Sequence, residues 1–492
     1  MTHIIAMAGQ TIAHASVNIA ICIQIAIVLQ TAIAIALQFK KDDMLKIKSI
    51  DQSGIVHTRD YDNNKCKFYH DGKIVVLDTL FMPPEEEQKE NPDVDRVTTK
   101  EERERNNNLI SRPYKSGEVA FLRLQLGMSC NFHCSYCIQH SYGADTHAST
   151  IEDTKRFIEN FDSWCTVRKE DQFIHIQFWG GEPLLYMEKL RLLIPFFKGR
   201  FDRISMTMVT NGSLLTEELV DFFIEYDVVV VVSHDGPTNN INRTLDPLAK
   251  DSESLKWIRH YHEKSKSGVG FNSVITKTNP DIGSVISHIK GAVGGDKPVS
   301  VGFEGIVVVE DDSHFDDSSL YTDLDYLTLR ENIRNLMAAG TLKDVSPFNG
   351  KFQTLLNSWF SPDHMICKFG LQKCGMDSPY SLAVTLKGDV LLCHSTNTKI
   401  GTVDDLAAID IHSVVTRWPD KPECNECIVL NLCRGACMAI SGSAWFHTCN
   451  NEFNFNLAVF EACFEYVFKE RIVMIDGHEH RPARMIPVPN GQ

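Results

Sequence analysis

Three cysteines, Cys130, Cys134 and Cys137, spaced Cys-x3-Cys-x2-Cys, limit what this chain can be more than any other feature. They follow directly on an apolar run, residues 119–126, which reads as a buried strand. Three thiolates therefore stand on a tight loop at the end of a strand. A structural zinc ion takes four protein ligands in a closed site, whereas a cubane iron–sulfur cluster has four irons to ligate. Three close cysteines without a nearby fourth suggest a cluster with one open iron, able to hold a small molecule. On the triplet alone, a zinc knuckle completed by a distant ligand is the competing reading.

The 492 residues allow two or three domains and a large core. A formal net charge of −15 argues against nucleic acid as the partner, because phosphate binding needs a basic surface. The same charge suits a partner carrying Lys or Arg. The fifteen cysteines concentrate in the triplet and between residues 367 and 463. Short metal-type spacings point to metal rather than disulfides, and so to a reducing compartment, the cytoplasm. No basic stretch precedes the N-terminal apolar segment, so no cleavable signal peptide is read.

Residues 1–39 contain no Lys, Arg, Asp or Glu, and from 17 to 37 the odd positions are nearly all large and apolar. A period of two is a strand or aggregation-prone pattern. The length of 11–38 would also permit membrane contact, with Lys40 and Lys41 at the inner end. The plainest reading makes 1–43 an extension without fixed order, the folded protein starting at Met44. Residues 44–82 read as a small β-meander, and 83–112, charged and Asn-rich, as a linker.

From about 117 to 320, strands alternate with helices. Strands are expected at 119–126, 173–178, 205–209, 228–233, 270–275 and 299–306, with helices between them. Repeated βα units imply a parallel sheet with helices outside, and active sites of such barrels lie at the C-terminal strand ends. The informative residues sit there. Trp179-Gly180-Gly181-Glu182-Pro183 follows the second strand, Thr210-Asn211-Gly212 the third, and Ser233-His234-Asp235-Gly236-Pro237, with Arg243 beyond it, the fourth. Asn272 and residues 302–305 are further candidates for the far side of a pocket. Residues 321–366 read as a helical bridge.

A second cysteine group follows, with Cys367, Cys374, Cys393 on a hairpin turning at Lys387-Gly388, then Cys424, Cys427, Cys433, Cys437 and Cys449. Eight cysteines suffice for two fully ligated four-iron clusters. Spacing alone allows two zinc sites equally well.

The triplet, with Tyr136 in the aromatic place of Cys-x3-Cys-x-aromatic-Cys, resembles the radical S-adenosylmethionine (SAM) superfamily. The resemblance implies an α/β fold, a partial (β/α)6 barrel, in which Cys130, Cys134 and Cys137 hold a [4Fe-4S] cluster whose open iron is chelated by SAM. Gly180, Gly181, Glu182 and Pro183 resemble the family's Gly-Gly-Glu-Pro motif, which contacts the SAM amino group. Asn211 falls near the SAM ribose, and Ser233, Asp235 and Arg243 resemble the Ser-x-Asp-Gly-Pro and Arg that meet the ribose and carboxylate. The second group resembles the SPASM domain, which implies one auxiliary cluster on Cys367, Cys374, Cys393 and Cys437. A second would take Cys424, Cys427, Cys433 and Cys449, with Cys463 the alternative last ligand. The implied domains are the extension (1–43), the β-rich region and linker (44–112), the barrel (113–320), the bridge (321–366), the SPASM domain (367–470) and a tail (471–492).

Relatives of this type imply reductive cleavage of SAM to a 5′-deoxyadenosyl radical and hydrogen abstraction from a peptide or protein. Maturation of a ribosomally made precursor peptide, by crosslinking or epimerisation, heads the readings, with flavodoxin or ferredoxin as electron donor. Side-chain oxidation of the anaerobic sulfatase-maturase type is the alternative, and a non-catalytic iron–sulfur or zinc scaffold the rival. In sulfatase maturases an Asp follows the hairpin cysteine as base; here that place holds His394. His394, Cys165 and Cys463 are the candidates for a catalytic role outside the motifs.

Overall fold

The computed structural model describes residues 44–62, 67–70, 73–74, 114–139, 148–169, 172–306, 319–320, 322–360, 372–425, 427–475 and 478–479. The apolar extension, the charged linker, Cys367 and most of the C-terminal tail lie outside the described residues. Among those described, no helix is long and apolar enough to cross a membrane.

The expected meander is present as β1 (Met44–Asp51), β2 (Val56–Asp62), β3 (Lys67–His70) and β4 (Lys73–Ile74), all antiparallel. Six parallel strands follow: β5 (Phe121–Gln125), β6 (Ile174–Trp179), β7 (Ile204–Thr210), β8 (Val228–Ser233), β9 (Gly270–Ile275) and β10 (Ser300–Ile306). Their crossovers run through α1 (Ile151–Trp164), α2 (Met187–Arg200), α3 (Glu217–Glu225), α4 (Glu253–Lys264) and α5 (Ile282–Val293). This is the α/β arrangement the alternating pattern predicts. A strand such as Val-Val-Val-Val-Val-Ser in β8 has no polar face to offer water, so it lies inside a sheet covered on both sides. Local signals start the helices: α1 opens on a capping box in which Thr150 and Asp153 satisfy each other's backbone amides.

The C-terminal half does not stand apart from this sheet. The hairpin β11 (Ser381–Thr385) and β12 (Asp389–Leu391), extended by β13 (Lys399–Thr402), adds to it, β11 pairing parallel to β5. The strand order is β10-β9-β8-β7-β6-β5-β11-β12-β13. Two helices of the bridge, α6 (Asp323–Ala338) and α7 (Phe348–Phe360), pack against a 27-residue helix, α8 (Gly442–Phe468). The Phe348 ring lies 5.9 Å from that of Phe303 on β10 and 5.2 Å from that of Phe455 on α8, joining barrel, bridge and C-terminal helix in one core.

The chain then returns to its beginning. β14 (Glu470–Ile475) pairs antiparallel with β1 and is extended by β15 (His478–Glu479), giving the order β15-β14-β1-β2-β3-β4.

Candidate functional site

The loop after β5 carries the cysteine triplet, and the turn after β6 grips it. Leu126 N donates to Trp179 O (2.9 Å), Gly181 N to Gly127 O (3.0 Å) and Glu182 N to Ser129 O (2.9 Å). The grip needs glycine. Gly180 has φ +154°, and a Cβ there would collide with the Gly127 carbonyl, while one on Gly181 would collide with the Met128 and Ser129 carbonyls. Tyr186 holds the loop from behind, its hydroxyl accepting from Ser129 N at 2.8 Å.

Glu182 is buried, and protein donors meet both its oxygens. Oε1 accepts from Leu184 N (3.0 Å) and the Thr210 hydroxyl (2.6 Å), and Oε2 from Asn211 N (2.8 Å). Burial still pushes its pKa above the ordinary glutamate value, because the three donors only partly replace lost hydration. Asn211 in turn donates to Asn131 Oδ1 (2.9 Å) inside the cysteine loop. The end of β7 thus braces both the turn and the triplet.

A second brace comes from the end of β8. Asp235, fully buried, accepts from the Tyr136 hydroxyl and from Arg243 Nε at 2.9 Å. The Arg243 guanidinium lies 5.5 Å from the centre of the Tyr136 ring. Burial opposes its charge, but the acidic groups around it outweigh that and raise its pKa. Ser135 N donates to Asn242 O (2.9 Å) and His133 N to Thr244 Oγ1 (2.7 Å), stitching the cysteine loop to the segment that carries Arg243. His234 sits behind this turn with Nδ1 accepting from Gly236 N (3.0 Å) and Nε2 2.8 Å from Asp246 Oδ1. With Nδ1 an acceptor, the ring proton belongs on Nε2. This makes His234 and Asp246 a hydrogen-bonded support, with the His288 ring stacked on that of His234 at 5.7 Å.

These elements enclose a cavity of about 300 Å³ at the C-terminal ends of the parallel strands. Cys130, Cys134 and Cys137 line it together with Tyr136, Gly180, Gly181 and Glu182. Asn211, Ser233 and Arg243 line it too, while Pro183 and Asp235 stand just behind. Burial pushes the Cys134 thiol up to about 12 and raises Cys130 as well. Three thiols facing a cavity that also holds Glu182 and Arg243 suit a four-iron cluster with one open position and a small zwitterionic ligand. A closed zinc site would need a fourth protein ligand in place of that opening.

The far wall holds residues outside the sequence motifs. Asn272 Nδ2 donates to Glu304 Oε1, and Lys373 pairs with Glu452 from α8. The motif pattern gave no signal for Lys373 or Glu452, since each reaches the cavity only through packing of the C-terminal half.

The auxiliary cysteines fall into two groups. Cys374, Cys393 and Cys437 lie near enough that Cys374 raises the pKa of Cys393 and both raise that of Cys437, and Arg123 stands as a half-buried cation beside Cys374 and Cys393. Cys449 stands likewise with Cys424, Cys427 and Cys433. Cys463 is fully buried in the apolar core, away from both groups. His394 does not line the cavity. Its ring packs edge-on against Trp179 at 4.4 Å, its Nδ1 is 3.7 Å from Cys393 Sγ, and burial drives its pKa down to about 3. Cys165 caps α1 in the core, its thiol pushed up to about 12 by burial.

Residues 124–283 match the Radical SAM superfamily. The chain is 24% identical over 192 residues to the radical SAM cyclopropyl synthase TigE of Paramaledivibacter caminithermalis, covering 36% of this chain and 40% of that protein. It is 22% identical over 380 residues to the cysteine-type anaerobic sulfatase-maturating enzyme of Clostridium perfringens, covering 70% of this chain and 94% of that enzyme. The solved structure of native anSMEcpe with bound AdoMet and a peptide superposes with a TM-score of 0.52 at 21% identity, covering 72% of this chain and 97% of that one. Family match and shared fold agree: residues 124–283 form a radical SAM domain, and the chain shares the fold of that solved structure, with a cysteine-rich C-terminal half beyond it.

Proposed function

We propose that this protein reductively cleaves SAM and uses the resulting 5′-deoxyadenosyl radical to abstract hydrogen from a peptide or protein, a ribosomally made precursor peptide first among them. The observation that carries the reading is the single cavity shared by Cys130, Cys134, Cys137, the Gly180-Gly181-Glu182 turn and Arg243. A four-iron cluster on the triplet would supply the electron that splits SAM. The chain's own part is to bind and orient. Glu182 and the turn backbone would meet the SAM amino group, Arg243 and Ser233 its carboxylate and ribose, and Tyr136 and Asp235 hold Arg243 in place. Cys367, Cys374, Cys393 and Cys437 would hold one auxiliary cluster and Cys424, Cys427, Cys433 and Cys449 a second, both in a reducing cytoplasm. Among the described residues, the thiols lining the cavity are those of the triplet, which supports crosslinking by oxidation over hydrogen return from a spare thiol.

A maturase-type oxidation is the second reading, favoured by the 94% coverage of the Clostridium perfringens enzyme. His394, where that type has an Asp, weighs against it, since the ring faces Trp179 rather than the cavity.

The test is anaerobic reconstitution followed by addition of SAM and dithionite. About twelve irons per chain, four for each of three clusters, are expected, together with 5′-deoxyadenosine. Cys130→Ala, Cys134→Ala and Cys137→Ala should each abolish cleavage; cleavage retained in any of them would sink the cluster assignment.

A further inference from the structure

We infer that the far wall of the cavity reads the substrate, and that Glu304 on it accepts a cationic side chain, Lys or Arg, of the peptide; this rests on the reading of a peptide-modifying radical SAM enzyme given above. The SAM motifs belong to the ends of β5 through β8. Asn272 and Glu304 belong to β9 and β10, at the other end of the strand arc, where Asn272 pairs in register with Gly302. Lys373 and Glu452 come from the C-terminal half, so this wall is built where the barrel meets the domain that follows it.

The charges on the lining do not balance. Arg243 is taken by Asp235, and Lys373 by Glu452, which also accepts from Asn456 Nδ2 at 3.1 Å. Glu182 is met by three donors of the protein. Glu304 has a neutral donor, Asn272, and among the described residues no cation in salt-bridge contact, while its side chain faces the open cavity. Arg243 and Lys373 reach Glu304 only from beyond salt-bridge distance, and a carboxylate with no cation in direct contact favours a ligand that brings one. The chain's net charge of −15 would draw the same kind of ligand from a distance.

The probes are three acetylated, amidated alanine-based hexapeptides with Lys, Gln or Glu at the third position, titrated calorimetrically into the reconstituted, SAM-saturated full chain. A hydrogen-bonded charge pair predicts that the Lys peptide binds about ten-fold or more tighter than the Glu peptide. Glu304→Gln should reduce that preference to about two-fold or less, and Glu304→Lys should reverse it, on the same free-energy scale. SAM affinity, read in a separate titration of SAM into each reconstituted, peptide-free chain, should be equal in wild type and Glu304→Gln, which also shows that the variant is folded. No preference in wild type, a preference that survives Glu304→Gln, or a loss of SAM affinity in that variant would each overturn the inference, the last by assigning Glu304 to the SAM pocket. Absence of 5′-deoxyadenosine from wild type would defeat the underlying reading, a different outcome from any of these.

Discussion

Asp235 and Arg243 form an ion pair at the edge of the cavity, Arg243 Nε 2.9 Å from Asp235 Oδ2, with Asp235 sealed from solvent and Arg243 open only toward the cavity. Such a pair is costly to halve, because the survivor becomes an uncompensated buried charge. Asp235→Ala should therefore destabilise the protein by about 3 kcal/mol and weaken SAM binding in parallel. Denaturant unfolding and SAM calorimetry on the reconstituted variant would show both, and an unchanged unfolding midpoint would contradict this account of the pair. Tyr136→Phe, which removes one donor to Asp235 while Arg243 remains, should cost only about 1 kcal/mol.

The glycines of the turn are required by sterics. A methyl on Gly181 meets the Met128 and Ser129 carbonyls, which belong to the backbone that presents Cys130 and cannot give way alone. Gly181→Ala should lose the iron bound by the triplet while most of the fold survives. Gly199 in α2, where an added methyl would have nothing within 4 Å, serves as the control. Gly199→Ala should keep its iron and gain up to about 1 kcal/mol from helix propensity. Iron analysis and thermal unfolding of the two variants separate these outcomes.

Cys449 and Cys463 lie on the same helix but should behave differently. Cys449→Ala should lower iron by about four per chain, the content of one cubane cluster. Cys463→Ala should keep its iron and lose about 1 kcal/mol from the small cavity left in the core. Equal iron loss from both would refute the grouping of Cys449 with Cys424, Cys427 and Cys433.

The closure of the N-terminal sheet by β14 depends on Glu470. Its carboxylate accepts from Arg59 Nη2 (2.7 Å) and the Ser49 hydroxyl (2.6 Å), and Arg59 lies over the Phe468 ring at 4.5 Å. Burial would raise its pKa, but the Arg59 and Ser49 hydrogen bonds outweigh this and hold it below the ordinary glutamate value. A depressed acid pKa gives stability that is present above the unfolded value and lost as pH falls through the folded one. Protection of the 470–475 amides, taken relative to the intrinsic exchange rate at each pH, should stay high from pH 8 to about 5 and fall only below the ordinary glutamate range, near 4.3. In Glu470→Gln the protection should be low throughout. Protection in the variant equal to wild type at neutral pH would remove the ion pair from the account.

Much of this molecule is local, and what is local was legible. The runs 228–233 and 270–275 match β8 and β9 because an unbroken apolar stretch between turn residues can only be satisfied inside a covered sheet. The triplet and the Gly180-Gly181-Glu182-Pro183 turn are contiguous, so their chemistry could be recognised without knowing how the chain folds. Distance in sequence hid the rest. Ser49 and Glu470 are 421 residues apart and meet only because β14 reaches β1. The hairpin at Lys387-Gly388 was readable, but its alignment beside β5 depends on a free sheet edge that no local pattern reports.

Cys449 and Cys463 show the limit most clearly. Fourteen residues apart on α8, they fall on nearly the same helical face, separated by about 21 Å along the axis. Periodicity cannot choose between them; only the height at which α8 docks against Cys424, Cys427 and Cys433 does. The same docking carries Glu452 to Lys373 and the two of them to the cavity wall beside Glu304. Local pattern was enough for the strand and helix order and for the motif residues that line the cavity. Packing of α8 and the hairpin onto the barrel set which charged groups face the cavity, because burial and pairing over hundreds of residues are properties of the assembled core.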